Sequence, residues 1–364
     1  MEESQYVLAS QWQLIRWKFA RHKLAVGSLV FLGLMYASAI VAPFLSPNAY
    51  HLADKDYLLC PPTRVRFFDD DGRFHLRPFV YGVRRSMNPD SLIVEFETLT
   101  DEKHPIKFFI QGDEYEILRL FPARLRLFGV ETGKLYLFGA DSLGRDVYAR
   151  VLKGAQISLS IGFVGILISF MLGIVLGGLS GYIGGIFDTA VQRLIEFLNS
   201  IPTIPLWMVL GAVLPRTWSV TKIYFSIVII LSFLSWTSVA RVVRGKFLSL
   251  REEDFVLAAK LYNAGTMRLI FSYMLPSFYS YIIARLTLTI PAMILGETAL
   301  SFIGLGLRSP AVSWGVLLQD AHAVSVLASA PWLLIPGIFV ILTILAFNFV
   351  GDGMRDAADP YAQV

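Results

Sequence analysis

The sequence predicts an all-α polytopic membrane protein, with six spanning helices and a β-rich insertion between the first two. Three observations predict it. Of 364 residues, 55% are hydrophobic and only 16% charged, against about 25% charged in an average soluble domain. Six stretches are long and apolar enough to cross a bilayer, which takes about 20 residues rising about 1.5 Å each. Between the first and second stretches the pattern changes to short apolar runs separated by turn residues, the signature of strands.

The chain opens with a segment at 1–23 that begins on acidic residues and has no small-residue cleavage site after the first apolar run, so no removable signal peptide is predicted. The first span covers 24–45. The second runs from Ala155 to Phe187, long enough to include a loop, the third from Asp188 to Leu214 and the fourth from Ile223 to Ala240. The fifth extends from about Leu275 to Leu305, and the sixth from Ala330 to Val350. Arg16, Lys18, Arg21 and Lys23 precede the first span and place the N-terminus in the cytoplasm by the positive-inside rule. Six crossings return the C-terminus there and put the basic loop 241–276 inside as well. Both termini are thus expected in the cytoplasm.

The insertion, 46–140, then lies outside. Its runs from Leu92, Ile106, Arg124 and Lys134 read as strands. Asp69, Asp70, Asp71 and Gly72 read as a solvated turn, because they lack the spaced oxygen ligands and distal Glu of a calcium loop. Arg84 and Arg85 read as ordinary charged surface. Lone Cys60 excludes an intramolecular disulfide, and no Cys/His cluster has metal-ligand spacing. The net charge of +4 is too small and scattered for a nucleic-acid partner.

The loop 241–276 carries the main functional signal. Ser249 and Glu252 have capping-box spacing, so a short helix is predicted to start there. Phe255, Ala258, Ala259 and Tyr262 fall at i, i+3, i+4 and i+7 and share one face, with an aromatic knob and two small residues that let another backbone approach. Asn263 and Gly265 tolerate left-handed backbone and end the helix. The shape suits docking; a plain amphipathic connector lying on the bilayer is the alternative.

Within the spans, Gly173, Gly177, Gly181 and Gly185 recur every four residues and predict a groove for close helix packing, its latter part turning in the cytoplasm. Pro202, Pro205, Pro291 and Pro336 are expected to kink their helices. Arg193, Glu196, Arg285 and Glu297 are costly in lipid and are expected to face protein, water or one another. Arg193 and Glu196 suit a pair. Glu297, with Pro291 and Pro202, is a candidate for the transport path or its gate, or else a buttress at a helix junction.

The loop resembles the coupling loop of ABC importer permeases, whose pattern is E-A-A, three residues, Gly, ten residues, then I-x-L-P. Leu257, Ala258 and Ala259 match E-A-A, Asn263 stands where Gly is usual, and Leu275 and Pro276 fall in register. Leu257 in place of Glu removes a polar contact, and Asn263 adds a side chain. GADSLGRDVYARVLKGAQISLSIG from Gly139 resembles the segment opening the transport domain in the dipeptide, oligopeptide and nickel permease family. GLSGYIGGIFD (178–188), LSFIGLGLRSPAVSWG (300–315), APW (330–332) and FNFVGDGMRDAADP (347–360) continue the match through a permease core at 141–360.

This resemblance is to the second, C-type, permease subunit and implies a type I ABC importer fold. It further implies a second homologous permease, two cytoplasmic ATPases and an extracytoplasmic substrate-binding protein as partners. ATP and magnesium would belong to the ATPases, since no cofactor is expected on this chain and it has no phosphate-cradling G-x-x-x-x-G-K-[ST] loop. Di- or oligopeptides are the implied cargo, with nickel or oligosaccharides as alternatives. An ion-coupled secondary transporter would show an internal helix repeat, and none is visible.

Overall fold

The structure, a computed structural model, describes residues 11–87, 94–117 and 121–358. Helices α1 (Gln11–Arg21) and α2 (Lys23–Ile40) lead into strands β1 (Arg66–Phe68), β2 (Phe74–Met87), β3 (Val94–Pro105), β4 (Lys107–Ile117) and β5 (Phe121–Gly129). After the strands come α3 (Val147–Ile183), α4 (Gly185–Ser200), α5 (Thr203–Ala212), α6 (Val220–Leu250) and α7 (Asp254–Leu261). The last described elements are α8 (Tyr279–Phe302), α9 (Trp314–Gln319) and α10 (Ile335–Ala358), with single turns between them. Five helices are long and apolar enough to span a membrane, and the number rises to six if α4 and α5 count as one.

That pair covers the expected third span, which bends sharply at Pro202, one of the expected kinks. Its axes differ by 81° across Ile201 and Pro202. Pro202 has no N–H to continue α4 and instead precedes the first turn of α5, where a missing donor costs nothing. Pro205 and Pro336 likewise sit in first turns and break no helix, so neither is the kink their position suggested. Pro291 alone of the four lies inside a helix. At the other end of α4, Gly184 and Gly185 adopt φ of +71° and +63° and end α3 at Ile183, short of the predicted end of the second span at Phe187. The helix starts earlier than expected too, at Val147, because Asp146 caps it: its Oδ1 accepts from the Tyr148 N–H at 2.9 Å.

The chain divides into two compact units. One comprises Gly33–Leu159 and Ser301–Ile341. Its strands form an antiparallel sheet in the order β1-β2-β3 and a separate β4-β5 ribbon. The runs from Ile106 and Arg124 became β4 and β5. The run from Leu92 became β3, although Leu92 itself lies outside the described residues. KLYLFG from Lys134 is not a strand: Leu135 and Tyr136 are buried in irregular backbone. The 14-residue β2 was missed because Pro78 and Gly82 interrupt its alternation. Asp69, expected in solvent, is buried. It accepts from Lys103 Nζ and pairs with His75 Nε2, each at 2.9 Å, and these bonds hold its carboxyl far below the usual range. Arg84 and Arg85 are exposed. Cys60 is fully buried, and burial pushes its thiol up to about 12.

The segment before α3 is fixed in the same unit by polar contacts. Asp141 is buried and accepts from Arg145 Nε at 2.7 Å and from the Leu143 and Arg145 amides. Arg150, also buried, lies 3.4 Å from the same carboxylate. Gly144 holds φ +73°, and a methyl group there would stand 1.9 Å from the Asp54 carbonyl oxygen. Trp314 donates from Nε1 to the Val151 carbonyl at 3.1 Å, and Trp332 to that of Ala140 at 2.9 Å.

The other unit comprises Met1–Leu32, Ser160–Leu300 and Leu342–Val364 and holds the expected coupling segment. Its organising contact is α3 against α6. Methyl groups on Gly173, Gly177 and Gly181 would meet Val239 Cβ at 2.6 Å, the Ala240 carbonyl at 2.3 Å and the Arg244 carbonyl at 2.7 Å. The predicted groove exists, and backbone fills it. Gly185, the fourth of the row, serves the turn instead.

Candidate functional site

α7 is an eight-residue helix standing on this glycine-lined seam. Its start differs from the capping box expected of Ser249 and Glu252. Ser249 still lies in α6, bonding back to the Lys246 carbonyl at 3.3 Å, and Glu252 is exposed beside Arg251 at 3.3 Å. Glu253 takes the cap position in extended backbone, without a side-chain bond, and Asp254 follows in the first turn. α6 runs on to Leu250 because apolar residues continue to pack along it, Val243 and Phe247 being fully buried.

The face of α7 is also divided differently from the expectation. Val256 and Ala259 point inward and join a core of Phe170, Ile174, Val239, Val243, Phe247 and Met274. Phe255, Ala258 and Tyr262 remain outside, as do Leu257 and Leu261. Ala259 is therefore a packing residue, one position off the outer face. Tyr262 and Leu261 are each 89% exposed, a large apolar surface for so short a helix. Val256, which the spacing argument overlooked, is the chief inward anchor; three residues before Ala259, it occupies the same side.

The helix ends as predicted at Asn263, whose φ is +57°. Gly265 does not share that role: its φ of −65° is open to any residue, and nothing lies within 4 Å of a methyl built there. Lys260 holds the end of α7 down, donating to the Arg251 carbonyl at 3.2 Å with its ammonium 5.2 Å from the Tyr182 ring centre. The chain then turns through Leu269–Met274, where Leu269, Ile270 and Met274 are buried, into a tight turn at Leu275–Phe278 that begins with Leu275 and Pro276. Phe278 closes edge-on against Phe247 at 5.7 Å.

A polar clamp stands at the base of the site. Arg244 of α6 donates from Nε and Nη2 to the two carboxylate oxygens of Asp188 on α4, both at 2.5 Å. Ser180 of α3 donates to the same carboxylate, and Gln192 donates to Ser180 at 3.3 Å. Such two-pronged geometry is the strongest ion-pair arrangement available to arginine. In the sequence Arg244 is one of several cations in the basic loop 241–276, and Asp188 opens the expected third span. The 56-residue separation hid the pair.

The path candidates lie in the same unit but elsewhere. Glu297 of α8 has no exposed surface in this chain. Beside it, a methyl on Gly296 would meet Leu231 and Trp207, each at 2.9 Å, so α5, α6 and α8 converge there. Pro291 lies in α8 and Pro202 at the α4–α5 break. Arg193 and Glu196 pair at 2.8 Å on the exposed side of α4, as their spacing suggested, and Arg285 is exposed. No cluster of three or more His, Cys, Asp or Glu able to hold a metal ion occurs among the described residues.

Residues 173–363, which include α7 and the Asp188–Arg244 clamp, match the family described as the binding-protein-dependent transport system inner membrane component. The chain belongs to that family. Residues 10–62 match in addition the N-terminal TM domain of oligopeptide transport permease C, the C-type group that the motifs from Gly139 onward resemble. A dipeptide transport system permease protein of Bacillus subtilis is 41% identical over 61% of this chain and 68% of its own length. An oligopeptide transport system permease protein of the same organism is 37% identical over 62% and 72%. An oligopeptide transport system permease protein of Haemophilus influenzae is 30% identical over 99% of this chain and 92% of its own, so its alignment takes in the β-rich insertion. A binding-protein-dependent permease is a multi-pass inner-membrane transport component, not a catalytic enzyme.

Proposed function

We propose that this permease is one transmembrane subunit of an ATP-binding-cassette importer that carries di- or oligopeptides across the bacterial cytoplasmic membrane. The outer face of α7 receives the movement of a cytoplasmic ATPase. The observation that carries this reading is the division of α7: two inward residues seat it, while Phe255, Leu257, Leu261 and Tyr262 are left uncovered. A helix bound for lipid alone would not be seated through buried Val256 and Ala259 on the packed α3–α6 core, which resists displacement. The relatives named for dipeptide and oligopeptide transport supply the cargo class. A second homologous permease, two ATPases bearing ATP and magnesium, and an extracytoplasmic binding protein complete the assembly.

In this reading α4 and α5 together make the third of six spans, both termini are cytoplasmic, and 46–140 is an extracytoplasmic domain. The permease core extends over 141–360 with its coupling loop at 241–276. Glu297, Pro291 and Pro202 belong to the path or its gate, with Glu297 buttressing the α5–α6–α8 junction.

The test separates the two alanines. Ala258→Trp, on the exposed side, is expected to leave the permease folded and inserted while abolishing peptide uptake and capture of the ATPase. Ala259→Trp, on the buried side, is expected to lower folded yield as well, because overpacking a filled site costs about 1–3 kcal/mol. If Ala258→Trp transports normally, α7 is not the docking element.

A further inference from the structure

The β4–β5 ribbon is tied to the mouth of the first span. Arg126 on β5 is buried and donates from Nη1 to the Ser46 carbonyl at 2.8 Å, just after the helical turn Ala42–Leu45 that ends the apolar stretch. On the facing strand Phe108 stands opposite Phe128, whose ring lies 6.2 Å from that of Tyr148 in the first turn of α3. These contacts set the depth of the ribbon relative to the bilayer.

Gln156 of α3 donates to the Ala39 carbonyl at 2.6 Å, so the two residues are level. From there Tyr148 stands about 12 Å further out along α3, and Leu45 about 9 Å further along the first span. Phe108, paired with Phe128, is thereby held on the part of the ribbon that lies beside the end of the apolar stretch.

At this depth the ribbon exposes two consecutive phenylalanines. Phe108 and Phe109 are each 63% exposed, and Phe109 holds φ +55°, a conformation that costs a bulky residue energy. Observed strain at a surface aromatic points to a role outside the fold. We propose that Phe108 and Phe109 are an interfacial anchor, inserted into the headgroup layer of the leaflet on the insertion's side, fixing the β4–β5 ribbon against the bilayer. Tyr and Trp are the aromatics enriched at that interface, and Phe enters it differently, by burying its apolar ring at the boundary between headgroups and acyl chains. The inference does not depend on what the permease carries.

The full chain provides its own labelling background, because Cys60 is its only cysteine and is buried. Phe108→Cys and Phe109→Cys would be labelled with bimane and reconstituted in phosphatidylethanolamine–phosphatidylglycerol vesicles without partner proteins. Leu76→Cys, at an 87% exposed site on β2, serves as the aqueous control. Brominated lipid is expected to quench the labels at 108 and 109 several-fold more than the label at 76, and aqueous iodide several-fold less. Equal iodide quenching at all three sites overturns the proposal. So does protection that appears only on adding the second permease or the binding protein, since a protein would then be the cover. A second measurement uses Phe109→Asn, which tolerates the left-handed φ. It is expected to match or exceed the parent's melting temperature in detergent and to fall below it in vesicles, and a gain in both would also overturn the anchor.

Discussion

The seam between α3 and α6 and the outer face of α7 lie in one unit yet are built on opposite rules. At the seam, three glycines bring backbone onto backbone and leave no space for a methyl group. On α7, two small inward side chains suffice to seat the helix, and four large ones are left in the open. The seam is closed and cannot slide without unpacking; the face is left uncovered. Under the proposed function the seam is the stiff shaft of a lever and the face its free end.

The largest expected effect is at the shaft. Gly177→Ala drives a methyl group to 2.3 Å from a carbonyl oxygen on a backbone that cannot give, and is expected to cost about 3 kcal/mol or more, read as lost folded yield in detergent. Wild-type stability would mean that the seam is not rigid. Next comes the clamp. Arg244→Leu strands the Asp188 carboxylate and is expected to cost about 2 kcal/mol, less than the roughly 3–5 kcal/mol of a fully buried pair because both groups are partly exposed. Exchanging the two residues, Asp188→Arg with Arg244→Asp, should recover part of the melting temperature.

The far end of α3 sharpens the contrast through pH. Burial pushes the Asp146 carboxyl up to about 7, so the folded protein holds that proton more tightly than the unfolded chain, whose aspartates titrate near 4. Its contribution therefore favours the fold most below about 4 and is lost as pH rises towards 7. Melting is expected at a higher temperature at pH 5 than at pH 8, and Asp146→Asn should flatten that slope. Asp69, held low, contributes oppositely but only as pH falls well below 4, outside this window. The smallest effect belongs to Gly265→Ala, which meets nothing and needs no special φ; it should change stability by less than about 1 kcal/mol and leave uptake intact.

Much of this was legible from the chain. Apolar length marked the helices, four-residue glycine spacing marked the seam, and Asn263 marked the end of α7, since each is a local rule acting within a few residues. What failed was decided at a distance. Ser249 and Glu252 have cap spacing, but packing of Phe247 and Val243 carries α6 past them. Ala259 shares a helical stripe with Ala258, yet which side of the stripe is buried depends on where Phe170 and Met274 lie. Lys134 opens a run that reads as a strand and has no described strand beside it with which to pair. Asp188–Arg244 and Arg126–Ser46 join residues 56 and 80 positions apart, beyond any pattern in a window.

The 81° break at Pro202 also bears on how the protein is made. Neither α4, with 16 residues that include Asp188, Arg193 and Glu196, nor α5, with 10, is by itself a segment that a translocon would release sideways into lipid. During synthesis this bent pair is expected to wait beside α3 until α6 emerges, and glycosylation mapping of chains truncated before and after Val220–Leu250 would time that delay. The angle between two helix axes thus becomes a rule about the order in which a membrane protein is stitched into its bilayer.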